Sequence, residues 1–265
     1  MPQVLNQEGA DNGPASARRP ERLLALDTAG TACSAAVWCA GEVRARRFEV
    51  MARGQSERLV PMIEAVMSEA GIAYGALDAV AVTLGPGGFT GVRIGLATAR
   101  ALALAWARPI IGVSNFEALA AAVPEAERRG RSLAVLIDAK RSDLYAQALS
   151  ADLAPLTEPR ALAPEALDGF LPQGPLVLVG DAVAPACAVL EAAGRQLSVA
   201  SAPGLADAAR VAALAATRPL PAPDAPPPRP IYLREPDVTL AQGSEARRGD
   251  VLRAARRVRR AAPKT

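Results

Sequence analysis

Two apolar runs that end in aspartate, Arg22–Asp27 (RLLALD) and Leu133–Asp138 (LAVLID), stand at the heads of two similar successions of elements. The first run enters a small-residue turn, Thr28-Ala-Gly30-Thr31, and returns as a second apolar strand at Cys33–Trp38. Gly41 then turns the chain into a third strand at Glu42–Glu49. Two tight strand-to-strand connections this early require antiparallel pairing. Ser56–Ala70 carries Leu59, Met62, Ile63, Val66 and Met67 at helical spacing, with Ser56 as expected N-cap and Gly71 as stop. Asp78–Thr83 reads as a strand, Gly85–Gly88 as a loop, Thr90–Ala107 as a helix ended by Pro109, and Ile110–Val113 as a strand. The second half echoes this order more weakly. Strands are expected at Leu133–Asp138, Leu144–Leu149 and Leu176–Gly180, and helices at Pro164–Phe170, Ala184–Ala193 and Leu205–Ala216. A Pro-rich connector, Pro219–Pro230, leads to a short closing strand, Ile231–Arg234. The pattern predicts an α/β protein of two related lobes, with the boundary near residues 113–131.

Histidine is absent from all 265 residues. A Ser-His-Asp triad, a Cys-His dyad, a histidine general base and a histidine-bound metal are therefore excluded within this chain, while carboxylate chemistry survives. Cys33, Cys39 and Cys187 are odd in number and lack C-x-x-C spacing, so neither a disulfide framework nor a zinc site is expected, and a reducing cytoplasm is the simplest setting. Apolar runs are interrupted before the ~20 residues that a membrane helix needs, and Met1–Pro20 has no apolar signal core. The net charge of +3 is uneven: residues 240–265 hold eight basic and two acidic residues, which leaves the remainder at −3. Only that segment offers an electrostatic contact for RNA or an acidic partner, and otherwise it serves as a solvated tail.

Three features are candidates for function. Gly85-Pro86-Gly87-Gly88 follows a strand and opens a helix, a place where free N–H groups suit phosphate, or where glycines permit close packing. It is neither a Walker A loop nor a dinucleotide fingerprint. Asp27-Thr28-Ala29-Gly30 is a turn that holds a phosphate or magnesium in a cleft, or is an ordinary hairpin. The third is a helix face: Gly91, Gly95, Ala99 and Ala103 form a small-residue stripe flanked by Leu96 and Leu102, suited to close helix–helix approach beside Ser56–Ala70. Asp138, Asp143 and Asp181 read as turn or cap residues.

The segments LLALDTAGTACSAAVW, QSERLVPMIEAVMSEAG and DAVAVTLGPGGFTGVRIGLATARALALAWARPIIGVS resemble the bacterial TsaB (YeaZ) family, and IDAKRSDLYAQ and PIYLR resemble its later strands. Gln55 stands where the family often has His, and Gly88 where it usually has Ser. The resemblance implies two actin-like (ASKHA, ribonuclease H-like) lobes of mixed sheet with flanking helices. The chain is expected to divide as a flexible tail (1–21), a first lobe (22–114), a second, reduced lobe (115–239) and a basic tail (240–265), the two tails having no counterpart in the resemblance. The resemblance implies a non-catalytic, cytoplasmic scaffold or activator for the catalytic subunit TsaD, acting with the ATPase TsaE. The complex transfers a threonylcarbamoyl group to the adenosine beside the anticodon in tRNAs that read codons beginning with A. It assigns no catalytic residue, metal or cofactor to this chain, leaves room for ATP or ADP within the complex, and involves no membrane. Partner contacts are expected from Leu59, Met62, Ile63 and Val66 on one helix and Leu96, Ala99 and Leu102 on the other, with a homodimer through the same face when the chain is alone. Met62→Asp is then the change expected to break both associations. Asp27, Thr28, Gly30, Gly85, Gly87 and Gly88 are phosphate-facing or structural. The alternatives are a small-molecule phosphotransferase of the sugar- or acetate-kinase type and a protein that binds tRNA directly through its basic tail.

Overall fold

The computed structural model describes residues 18–222 and 225–234, so the expectations for residues 1–17 and 240–265 lie outside the described residues. Strands β1 (Arg22–Asp27), β2 (Ala32–Cys39) and β3 (Glu42–Val50) form an antiparallel meander. β4 (Ala79–Thr83) joins β1 in parallel and β5 (Ile110–Val113) joins β4, which gives the order β3-β2-β1-β4-β5. A second sheet is built from β6 (Ser132–Asp138), β7 (Leu144–Leu149), β8 (Arg160–Leu162), β9 (Leu176–Val179) and β10 (Leu197–Val199). Its order, β8-β7-β6-β9-β10, repeats the first strand for strand and direction for direction. β1 and β6 are the central strands, and each ends in its aspartate. Both are covered on two faces, which is why they read as continuous rather than alternating apolar runs.

Helices α1 (Gln55–Ala70) and α2 (Phe89–Trp106) bury one stripe each against one face of the first sheet, around Leu24, Leu26, Val37 and Val82. The opposite face, with Leu23, Ala25 and Val113, is covered by α7 (Ala208–Ala216) and by Ala118 of α3 (Asn115–Ala120). Phe116, Leu119 and Ala120 of the same α3 pack on Leu133, Val135 and Val177 of the second sheet. α3 thus lies between the two sheets and belongs to both cores. A short α4 (Glu125–Arg128) follows it, and α5 (Leu167–Phe170) and α6 (Val183–Ala192) cover the other face of the second sheet.

Several details depart from the sequence reading. α1 starts one residue early: Gly54, at φ 96°, is its N-cap, no side chain caps it, and the Gln55 amide donates to the Met51 carbonyl at 3.2 Å. The helix expected from Leu205 begins at Ala208, where Asp207 accepts from the Ala209 amide at 2.9 Å. Ile231–Arg234 is not a strand. Ile231 makes one backbone bond, its N–H donating to the Leu84 carbonyl at 2.8 Å, and Leu233 packs on the second-sheet core. β8 and β10 were not anticipated because three residues at a sheet edge carry no usable period. α3 does have a readable start. The Ser114 hydroxyl accepts from the Glu117 amide at 3.1 Å and the Glu117 carboxylate accepts from the Ser114 amide at 2.8 Å, a complete capping box. Ser114→Ala should lower stability by about 1 kcal/mol in urea unfolding, and a loss near zero would show that α3 is held by its two cores alone.

Candidate functional site

The glycine loop and the Asp27 turn, read separately as phosphate-facing candidates, close on each other. The Gly88 amide donates to the Ala29 carbonyl at 2.7 Å, and the Thr28 hydroxyl donates to the Gly91 carbonyl at 2.7 Å. A Cβ on Gly87 would lie 2.4 Å from the Ala29 oxygen, one on Gly91 2.1 Å from the Thr28 oxygen, and one on Gly95 2.8 Å from the Thr28 hydroxyl. Backbone against backbone leaves no room to adjust, so glycine is required at 87 and 91 by approach distance. Gly85 is required by conformation, at φ 95°, and its amide donates to the Asn115 side-chain oxygen at 3.2 Å. Gly30 meets only the Leu205 side chain, at an ordinary 3.6 Å from where its Cβ would be.

Asp27 is sealed beneath this junction. One carboxylate oxygen accepts from the Thr83 hydroxyl at 2.6 Å and from the Ala29 amide at 3.3 Å, while Oδ2 has no hydrogen-bond partner among the described residues. Burial pushes its pKa up from 3.8 to about 6, with the charge of Asp207 adding to the rise and Thr83, the Ala29 amide and the nearby Asn115 side chain opposing it. The corresponding aspartate of the second sheet is wired differently. Asp138 receives the Lys140 amide at 2.6 Å and its ammonium at 2.9 Å, and the Asp138 amide donates to Asp181 at 2.7 Å. Burial raises Asp138 but the Lys140 contacts outweigh it and hold the carboxyl below its usual value, whereas burial leaves Asp181 above.

The helix face is where the sequence reading needs correction. Leu59, Met62, Ile63, Val66, Leu96 and Ala99 are all buried, none more than 3% exposed, against the first sheet. Leu102 is half-buried on the same core. The apolar periodicity marked the stripe the sheet consumes, and the small-residue stripe lets α2 approach the Asp27 turn rather than another protein. The outward face comprises other residues: Val60 on α1, at 50% exposure, and Phe89 and Leu104 on α2, at 49% and 85%. Ala97 and Ala101 lie between them, exposed. At one end the Arg93 guanidinium stacks 3.4 Å over the Phe89 ring and donates to the Tyr232 hydroxyl at 3.1 Å. These positions were legible only by subtraction, once Val92, Leu96, Ala99 and Ala103 are assigned to the core stripe of α2.

Two sheets of one topology, each with an aspartate closing its central strand, define a protein of the actin-like (ASKHA, ribonuclease H-like) class. The family model described as TsaD, tRNA N6-adenosine threonylcarbamoyltransferase, matches residues 49–172. The chain is 40% identical over 124 residues to the tRNA threonylcarbamoyladenosine biosynthesis protein TsaB of Escherichia coli, a match covering 47% of this chain and 53% of that one. It therefore spans about half the length of the curated relatives it matches under that description. An uncharacterized protein of Mycobacterium tuberculosis is 32% identical over 226 residues, 81% of this chain and 92% of its own. A crystal structure of a Pseudomonas aeruginosa protein, described as similar to peptidase YEAZ, superposes with a TM-score of 0.67 at 29% identity, covering 81% of this chain and all of that one. The chain belongs to the TsaB (YeaZ) family. Among the described residues no helix is long and apolar enough to cross a membrane.

Two measurements test the site. Gly91→Ala should destabilise the fold by more than about 2 kcal/mol because its Cβ meets backbone. Gly88→Ser, at an N-cap with φ −62° where a Cβ would lie an ordinary 3.5 Å from the Ala29 oxygen, should instead be neutral or stabilising by a few tenths of a kcal/mol; equal effects in thermal unfolding would refute the docking geometry. Because Asp27 has its folded pKa above 3.8, the native state holds the proton more tightly, and that contribution is present below pH 3.8 and lost as pH rises to about 6. Above that, the ionised group costs about 3 kcal/mol. Asp27→Asn should gain on wild type by about that amount between about pH 4 and about pH 8, read as the change in the Tm difference; a pH-independent difference would contradict the burial argument.

Proposed function

We propose that the chain is a non-catalytic scaffold or activator subunit that binds the catalytic protein TsaD through the solvent faces of α1 and α2. In this reading TsaD carries out threonylcarbamoyl transfer to the adenosine beside the anticodon of tRNAs that read codons beginning with A, with TsaE as a further partner, in the cytoplasm. The observation that carries it is the outward face itself. Phe89, Leu104 and Val60 are large apolar side chains left in solvent on two adjacent helices, and the exposed Ala97 and Ala101 between them allow a facing helix to approach closely. The TsaD family model matches a span that includes both helices, so a like-built helix pair in the partner supports face-to-face packing as a four-helix arrangement. Without the partner, a second copy would cover the same face. A phosphotransferase reading is less well supported, since the turn it needs for phosphate is occupied by the chain's own glycine loop.

Co-purification with TsaD from the same organism, followed by tRNA modification in the reconstituted mixture, tests the proposal. Val60→Asp and Leu104→Glu should fold normally and lose the complex by at least tenfold in affinity, because each buries an unpaired charge on docking. Met62→Asp should instead unfold the chain, at a cost of more than about 3 kcal/mol, since Met62 is in the core. Normal complexes from both surface variants would sink the proposed face. Modification that proceeds at full rate without this chain would sink the function.

A further inference from the structure

A cavity of about 250 Å³ lies on the far side of Leu205 from the Asp27 turn, lined by Arg46 and Phe48 of β3, Ala118 and Ala122 around α3, and Pro203, Leu205, Asp207 and Arg210. Its floor is apolar. Its charge is decided by three residues. Asp207 is fully committed: one oxygen takes the Arg46 guanidinium at 2.7 and 2.5 Å, and the other caps α7. Arg46 is equally committed, to Asp207 and to the Phe48 ring at 5.2 Å from its centroid. Arg210, exposed one turn into α7, has no side-chain partner among the described residues. The lining therefore carries a net charge of +1 that nothing among the described residues neutralises.

We infer that this cavity is a binding site for a small aromatic carboxylate. An aromatic ring seated against Phe48, Leu205 and Pro203 buries its faces on apolar surface, and a carboxylate at the mouth pairs with the uncommitted Arg210 fork. Size sets the class. The volume falls below the roughly 300–1,000 Å³ that holds drug-sized ligands, so one ring with one short substituent fits and a whole nucleotide protrudes. The sign follows from the charge count: a cationic ligand is repelled by the Arg210 guanidinium, a neutral one gains nothing from it, and an anion pairs with it. The site is separate from the α1–α2 face and stands or falls independently of the function proposed above.

The test is titration of the full chain with 4-hydroxybenzoate, by calorimetry and saturation-transfer NMR, with AMP and benzylamine as comparison probes. Saturable binding of the carboxylate at millimolar concentration or tighter, weakening as salt rises, is expected. Arg210→Ala should weaken it at least tenfold, and Leu205→Trp, which fills the cavity, should abolish it. Asp207→Asn keeps the helix cap while removing the negative charge, so it should tighten binding severalfold; a purely structural role for these residues does not predict that gain. No saturable binding, tighter binding of AMP or benzylamine, or an unchanged affinity in folded Arg210→Ala would each overturn the assignment.

Discussion

The closure of the Gly85–Gly91 loop on the Asp27–Gly30 turn sets the position of most of what surrounds it. Two hydrogen bonds, Gly88 to Ala29 and Thr28 to Gly91, hold two backbone segments at distances that no side chain tolerates. That approach fixes the height of the α2 N-terminus over the sheet. The rotation of α2 then follows from its apolar stripe, with Val92, Leu96, Ala99 and Ala103 turned inward. Phe89, Arg93, Ala97, Arg100 and Leu104 consequently face solvent. The same closure seals Asp27 from water and leaves one of its oxygens unpartnered. A buried half-satisfied carboxylate is costly, and its raised pKa is the measure of that cost.

The two sheets have equal topology but unequal ends. In the first, the aspartate is covered by the chain's own loop. In the second, Asp138 and Asp181 share the Lys140 ammonium, Asp138 at 2.9 Å and Asp181 at 3.7 Å, so one internal cation offsets part of their charge. The first end is closed to solvent, whereas Asp138 at the second stays partly exposed and paired with Lys140. Between the sheets, α3 contributes to both cores, and α7 is tied to the first by the Ser34 hydroxyl accepting from Ala208 at 3.0 Å and by Arg46 on Asp207. This inner layer is where the cavity beside Leu205 forms, because small residues such as Ala118 of α3 and Ala122 in the turn after it leave space that larger ones would fill.

Much of the fold was legible because its strongest signals are local. β1, β5 and β7 fall where apolar runs and turns put them, and α1 and α2 are within a residue or so of their expected limits. β8, β10 and α4 were not legible, since three or four residues carry too little pattern. The candidate site was legible in its parts and not in its arrangement. The glycines at 85, 87 and 88 and the turn at 27–30 stand out in the sequence, but a glycine that admits a ligand and one that admits another backbone look alike in one dimension. The helix residues were misplaced for a related reason. Leu59, Met62 and Leu96 mark an apolar stripe, and a stripe does not say whether a sheet of the same chain or a second protein covers it.

The sequence by itself determined the two successions of strands and helices, the aspartate at the end of each central strand, and the exclusion of histidine chemistry, since these depend on residue type and short-range order. Tertiary structure alone decided that the two candidate loops occupy each other. It also decided that Asp27 is buried rather than presented, and that on α1 and α2 Val60, Phe89 and Leu104 are the large apolar residues left outside. Each of those outcomes depends on which surfaces meet across more than fifty residues of chain, as in the Thr28–Gly91 and Asp27–Thr83 contacts, separated by 63 and 56 positions. Distances of that kind are set by packing the whole core, not by any stretch of it.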